Sequence, residues 1–235
     1  MNKFKAVIFD FDGTFADSGD GIRRCVEYAL EKYDIPVGDK SKLNYFVGPP
    51  LHVGFGDMYG ANDEQCEKLI EAYRDRYARI GVYEAELYEG IVELVNTLKK
   101  NGIKVGIASS KPKFFIDQVM KYLGTSELFD TVVGTQLDNH NADKTELINT
   151  ALKNLEITDK HVSVMVGDRL YDVNGAKRAG VLSVGVLYGY GSETELKDAG
   201  ADFLAHDVTG LYKILLDNDE IMKKTVDNAN CIYYN

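Results

Sequence analysis

Asp10 and Asp12 stand one residue apart in Asp10-Phe11-Asp12-Gly13-Thr14, directly after the apolar run 6–9. A strand ending in such a turn brings both carboxylates to one place at the open edge of a sheet. Two carboxylates that close repel each other unless a cation lies between them, and Mg²⁺ accepts oxygen ligands of this kind. Asp10 is a candidate nucleophile, because a carboxylate can attack phosphorus and form an acyl phosphate that water later cleaves. Asp12 is a candidate acid for the leaving alkoxide and base for that water. Gly13 permits a tight turn and close approach of a phosphate. Taken alone, the motif also fits a calcium-type loop or a solvated turn.

Three other groups sit in similar places. Val166-Gly167-Asp168-Arg169-Leu170-Tyr171-Asp172 follows an apolar run. Asp168 and Asp172 are four apart, so they share a face if the chain turns into a helix there, and they would complete a carboxylate cluster. Alternatively Asp168 caps the helix and Asp172 favours its macrodipole. In Ala108-Ser109-Ser110-Lys111-Pro112, the Ser109 hydroxyl followed by free N–H groups of a starting helix makes a phosphate cradle, or an ordinary Ser cap. Lys144 opposes the dipole of the helix it begins, which suggests another duty: binding a transferring phosphoryl group and holding Asp10. The alternative is a solvated surface lysine.

The elements that must position these residues alternate. Short, β-branched apolar runs occur at 6–9, 104–108, 131–134, 162–166 and 181–186, with a last one at 201–204. Their near-continuous hydrophobicity suits strands covered on both faces. Helical periodicity fills 89–100, 112–122, 143–152, 171–179 and 207–216. The rhythm predicts a doubly wound, Rossmann-like α/β parallel sheet. From Asp17 to Glu86 it breaks into helical patterns near 21–33 and 63–80. This is far longer than an ordinary strand–helix connection. We expect a helical cap domain over 17–86, a core domain over 1–16 and 87–217, and a C-terminal tail over 218–235.

Bulk properties narrow the function. The 235 residues carry a formal charge of −10, and 45% of them are hydrophobic. Such an acidic surface repels nucleic acid and anionic lipid, so neither is an expected partner. A phosphate site must be made positive locally. Cys25, Cys66 and Cys231 fit no metal-ligand spacing and read as reduced thiols. The N-terminal apolar run is too short for a signal peptide and no apolar stretch could span a bilayer, so a cytoplasmic location is expected.

Together these motifs resemble those of the haloacid dehalogenase superfamily, in its phosphoglycolate phosphatase-like branch, over residues 5–216. The first motif, DxDGT, is matched by Asp10, Asp12, Gly13 and Thr14; the second by Ser109; the third by Lys144; the fourth, GDxxxD, by Gly167, Asp168 and Asp172. The resemblance implies a Rossmann-like core with a helical cap after the first motif. It implies Mg²⁺ on the Asp10 side chain, the Asp12 main-chain carbonyl and Asp168, with Asp172 supporting. It also implies phosphate contacts at Gly13, Thr14, Ser109, Ser110 and Lys144. Branch members often have Thr-Asn-Lys-Pro where this chain has Ser109-Ser110-Lys111-Pro112, and a small hydroxyl residue where it has Arg169. The segment 46–51 is similar to a cap loop that faces the active site, which makes Gly48, Pro49, His52 and Arg23 candidate substrate contacts.

The expected activity is phosphatase action on a small phosphorylated metabolite, by a monomer or homodimer. A phosphomutase like β-phosphoglucomutase is the nearest alternative, and Thr14 weighs against it, because such mutases often carry Val there. Asp12 weighs against a dehalogenase, which needs no acid at that position. A non-catalytic protein on the same fold is a third reading.

Overall fold

All four side chains of β1 (Ala6–Phe9) are buried. A strand hidden on both faces belongs inside a parallel sheet. The computed structural model of the protein, which describes residues 4–137, 143–216 and the backbone of 232–234, places it there. The other core strands are β4 (Lys104–Pro112), β5 (Thr131–Thr135), β6 (Ser163–Gly167), β7 (Leu182–Val186), β8 (Phe203–Ala205) and β9 (Ile232–Tyr234). Their order is β5-β4-β1-β6-β7-β8-β9, with every pairing parallel. Alternation along β1 serves two layers. Ala6 and Ile8 pack with α6 (Lys144–Asn154) and α7 (Leu170–Ala179) on one face. Val7 and Phe9 pack on the other, in the core that includes α4 (Ile91–Lys100), α5 (Lys113–Tyr122) and α9 (Val208–Leu216).

After β1 the chain crosses a two-stranded antiparallel ribbon, β2 (Ala16–Asp17) with β3 (Glu86–Leu87). Between these strands lie α1 (Gly19–Lys32), a 3-10 turn at Lys40–Phe46, α2 (Leu51–Tyr59), α3 (Asp63–Arg79) and a short turn at Gly81–Tyr83. Asn62 and Gln65 form a reciprocal capping box that starts α3. Among the described residues no helix is long and apolar enough to cross a membrane.

Several expected boundaries shift. β4 does not stop at Ala108 but continues to Pro112 through a register shift against β5. Pro112 therefore caps α5 rather than lying within it. The last expected run, 201–204, is a strand at Phe203–Ala205. Periodicity missed α2, which is rich in glycine and aromatic residues, and α8 (Glu193–Ala199), only two turns long. Of the expected tail 218–235, only 232–234 are described, as a strand beside β8; Cys231 lies outside the described residues.

Candidate active site

From β1 the sheet grows through β4 on one side, and from β6 through β7 on the other. The carboxyl ends of β1 and β6 thus flank a topological switch point, where a doubly wound sheet opens a crevice. Asp10 follows β1 directly, with its N–H donated to the Val166 carbonyl at 2.8 Å. The next residues turn tightly: Gly13 N–H bonds the Ala16 carbonyl at 2.8 Å, and Phe15 and Ala16 both donate to the Phe11 carbonyl at 3.0 Å. Gly13 has φ +81°, and a Cβ there would stand 2.3 Å from an Asp168 carboxylate oxygen. Two constraints, left-handed backbone and close approach, therefore require glycine at this position.

Asp10, Asp168 and Asp172 are buried, and each offers an oxygen within 4.8 Å of the others'. Lys144, also buried at the start of α6, reaches Asp10 Oδ1 at 2.8 Å, the Ala108 carbonyl at 3.0 Å and Asp172 Oδ1 at 2.7 Å. Thr14 donates its hydroxyl to Asp168 Oδ1 at 3.2 Å, and the Tyr190 N–H reaches Asp168 Oδ2 at 2.8 Å. Asp172 Oδ2 accepts the Arg169 N–H at 3.1 Å. Arg169, rather than Asp168, thus occupies the cap position of α7, which disposes of the capping alternative for Asp168.

The electrostatics follow from the packing. Burial pushes the Asp168 carboxyl well above its ordinary range, and the negative charges of Asp172 and Asp10 push it further. Burial also raises Asp172, with Lys144 opposing. Burial works against the Lys144 charge, but Asp10 and Asp172 outweigh it and hold the ammonium above its ordinary value. Three buried carboxylates thus face one ammonium. An all-oxygen, net-negative donor set fits a hard divalent cation such as Mg²⁺.

Asp12 departs from the expectation that both motif carboxylates share one cation. Its side chain is outside the cluster. Lys111 Nζ grips both its oxygens, at 2.9 and 3.0 Å, and the Ser18 hydroxyl also donates to it. The turn explains this: β1 ends at Phe9 and residues 11–16 curl back on the Phe11 carbonyl, so the strand alternation that would put residues 10 and 12 on one face no longer holds there. Ser109 is buried, and its Oγ accepts the Lys111 N–H at 3.3 Å. Because β4 runs on to Pro112, Ser109 and Ser110 present no helix-start N–H groups, and the expected helical cradle is absent at this point.

Asp12 and Lys111 line a cavity of about 90 Å³ between the sheet edge and the helical segment. Gly48, Pro49, His52 and Ser110 line it too, together with Tyr77 of α3. Arg23 does not. It pairs with Asp20, donates to Asn44 Oδ1 at 2.9 Å and lies over the Tyr190 ring, outside this cavity.

Sequence reasoning missed Ser18, Lys111 and Tyr77 as neighbours of Asp12, and the loop 188–191. Glycines flank Tyr190 in that loop because a Cβ at Gly189 would lie 2.4 Å from Asp168 Cβ, and one at Gly191 would lie 1.9 Å from the Asp168 carbonyl. Gly189-Tyr190-Gly191 after an apolar strand was the available signal. Arg169 bonds Glu195 Oε1 at 2.9 Å and donates to the Val47 carbonyl, tying the end of β6 to the loop that carries Gly48.

Comparison with known proteins gives a consistent result. Residues 7–186 match the family model described as haloacid dehalogenase-like hydrolase. The chain is 34% identical to a 5'-nucleotidase of Pseudomonas aeruginosa over 213 residues, 91% of this chain and 96% of that one. It is 32% identical to the tyrosine-protein kinase PtkA of Mycobacterium tuberculosis over 203 residues, 86% of this chain and 69% of that one. The crystal structure of a predicted phosphatase from Clostridium acetobutylicum superposes with a TM-score of 0.85 at 40% identity, covering 90% of this chain and 97% of that one.

Proposed function

We propose, from the premise that the chain belongs to the haloacid dehalogenase-like hydrolase family, that this phosphatase hydrolyses a small organic phosphomonoester through a phosphorylated Asp10. One observation carries the reading: Asp10 is buried on Lys144 beside two more carboxylates, while Asp12 stands apart on the wall of the adjoining cavity. That separation suits two carboxylates with different duties.

In the first step an Asp10 oxygen attacks phosphorus, the bond to the ester oxygen breaks, and Asp12 gives that oxygen its proton. In the second step Asp12 takes a proton from water. The hydroxide attacks phosphorus, and the bond to Asp10 breaks to release inorganic phosphate. Lys144 orients Asp10 and offsets charge on the transferring group, with Ser109, Ser110, Gly13 and Thr14 around it. The Asp10 side chain, the Asp12 main-chain carbonyl and Asp168 would hold Mg²⁺, with Asp172 supporting. Bound there, the ion would neutralise the oxygens of the transferring group.

We assign residues 17–86 to a cap domain, and 1–16 with 87–217 to the core. Gly48, Pro49 and His52 then meet the leaving group from the cap, and a cavity of about 90 Å³ fits a small one. Enclosure by such a cap keeps bulk water from the site. The kinase name belongs to the mycobacterial relative. An acid positioned beside the leaving group supports hydrolysis here.

The test is phosphate release from p-nitrophenyl phosphate, small alkyl phosphates, a nucleoside 5'-monophosphate and pyrophosphate, with Mg²⁺ and with chelator. Release should require the metal, and Asp10→Asn should abolish it in folded protein. Retention of a tenth of the rate in that variant would overturn the covalent mechanism.

A further inference from the structure

We propose that Lys111 is the positioning residue for Asp12, and that Tyr77 makes this positioning depend on the seating of the helical segment 17–86. The inference rests on the assignment of Asp12 as proton donor and acceptor.

Lys111 lies next to the last residue of β4, yet only 9% of it is exposed. Burying an ammonium is costly unless its N–H groups are satisfied. Two of them go to Asp12, at 2.9 Å to Oδ1 and 3.0 Å to Oδ2. On another side lies the ring of Tyr77, whose centroid is 4.5 Å from Nζ. A cation over an aromatic face, shielded from water, is a favourable contact. An ammonium has three donors. Two on the carboxylate and one toward the ring leave none for a substrate oxygen. Lys111 therefore acts through Asp12 and does not grip the ester itself. With Ser18 on Oδ1, the carboxylate is held from two directions.

Tyr77 belongs to α3, across the cavity from the sheet. Its ring is fixed by a parallel stack on Tyr73, with centroids 5.5 Å apart, and by the edge contact with Phe115 at 5.2 Å. Its buried hydroxyl forms no hydrogen bond of good geometry but lies near enough to the ammonium to favour its charge, so ring face and hydroxyl both meet Lys111. If the segment that carries α3 lifts away, the ammonium loses its cover, water reaches it, and its hold on Asp12 loosens. The proton donor is then in place only when the segment is closed over the substrate.

The experiment measures kcat and KM for p-nitrophenyl phosphate and for a simple alkyl phosphate, with thermal melts as a check of folding. The proteins are wild type, Lys111→Met, Lys111→Arg, Tyr77→Leu and Tyr77→Phe. Nitrophenolate leaves without a proton and an alkoxide does not, so a misplaced acid costs the alkyl ester on the order of tenfold or more beyond the nitrophenyl ester in kcat/KM, which ends with phosphorylation of Asp10 and excludes the second step that both esters share. Lys111→Met should show that difference with KM changed less than about threefold, since uniform binding is untouched. Lys111→Arg should recover part of it. Tyr77→Leu should repeat it in weaker form, and Tyr77→Phe, which keeps the ring and loses only the hydroxyl, should give an ester ratio between those of Tyr77→Leu and the wild type. Equal losses of kcat/KM on both esters, or a loss confined to KM, would overturn the proposal. If Lys111→Met fails to fold, the ester ratios of Lys111→Arg and of the Tyr77 pair decide the question by the same criterion. A wild type silent on both esters removes the phosphatase mechanism and this inference together, whereas active wild type with an unchanged ratio in the variants removes this inference alone.

Discussion

Replacing Lys144 by Met would test how the carboxylate cluster is held together. The apolar stem is nearly preserved, so little packing is lost. The ammonium is lost, and with it the partner 2.8 Å from Asp10 and 2.7 Å from Asp172. Both side chains are almost fully buried, at 5% and 2% exposed, so water cannot replace it. Removing one member of a buried ion pair costs about 3–5 kcal/mol, because it leaves uncompensated charge inside the protein. For a chain of this size each kcal/mol moves Tm by about 2–4 °C, so the metal-free variant should melt roughly 6–20 °C below the wild type. The assay is a calorimetric or circular-dichroism melt in EDTA near neutral pH, repeated with millimolar Mg²⁺. The metal should narrow the gap, because a divalent cation among Asp10, Asp168 and Asp172 supplies the missing positive charge. If metal-free Lys144→Met melted within 2 °C of the wild type, the reasoning that Lys144 neutralises the cluster would be refuted.

Two smaller perturbations probe separate features. Gly13→Ala puts a side chain at φ +81° and 2.3 Å from Asp168; the backbone alone costs about 1–2 kcal/mol, and displacing Asp168 by about 1 Å should lower kcat on the order of 100-fold, measured by phosphate release. Glu84 accepts from Arg76 at 2.8 Å and from Arg24 at 2.8 Å, and hydrogen bonds from Arg76 hold its carboxyl below the ordinary value of 4.5. A depressed carboxylate contributes stability above its unfolded value that is lost as pH falls through the folded one. Glu84→Gln should therefore cost about 1–3 kcal/mol at pH 7, and the difference in denaturation midpoint should fade below pH 4.5.

Much of the fold was legible because its signals are local. Apolar runs hidden on both faces announce parallel strands, and helices such as α4 show one apolar stripe, Ile91, Leu94, Val95 and Leu98. The carboxylates were legible because a strand end fixes where its next residue goes, which places Asp10 and Asp168 at one edge whatever surrounds them. Where local signals are weak, reading failed. α2 carries two glycines within nine residues, and β4 runs past the point where its hydrophobicity stops, because pairing with β5 resumes at Pro112.

The sequence by itself determined the sheet, the strand-end acids and the tight turn at Gly13; that no other residue fits there follows from the approach of Asp168. Only the tertiary structure decided what those acids touch. The hold of Lys144 on Asp10 was expected, but Asp12 and Lys111 are 99 residues apart and Arg169 reaches Val47 across 122. No periodicity encodes such pairings. They arise when side chains of different elements compete for the same desolvated space, and a charge there must take whichever opposite charge the packing leaves within reach.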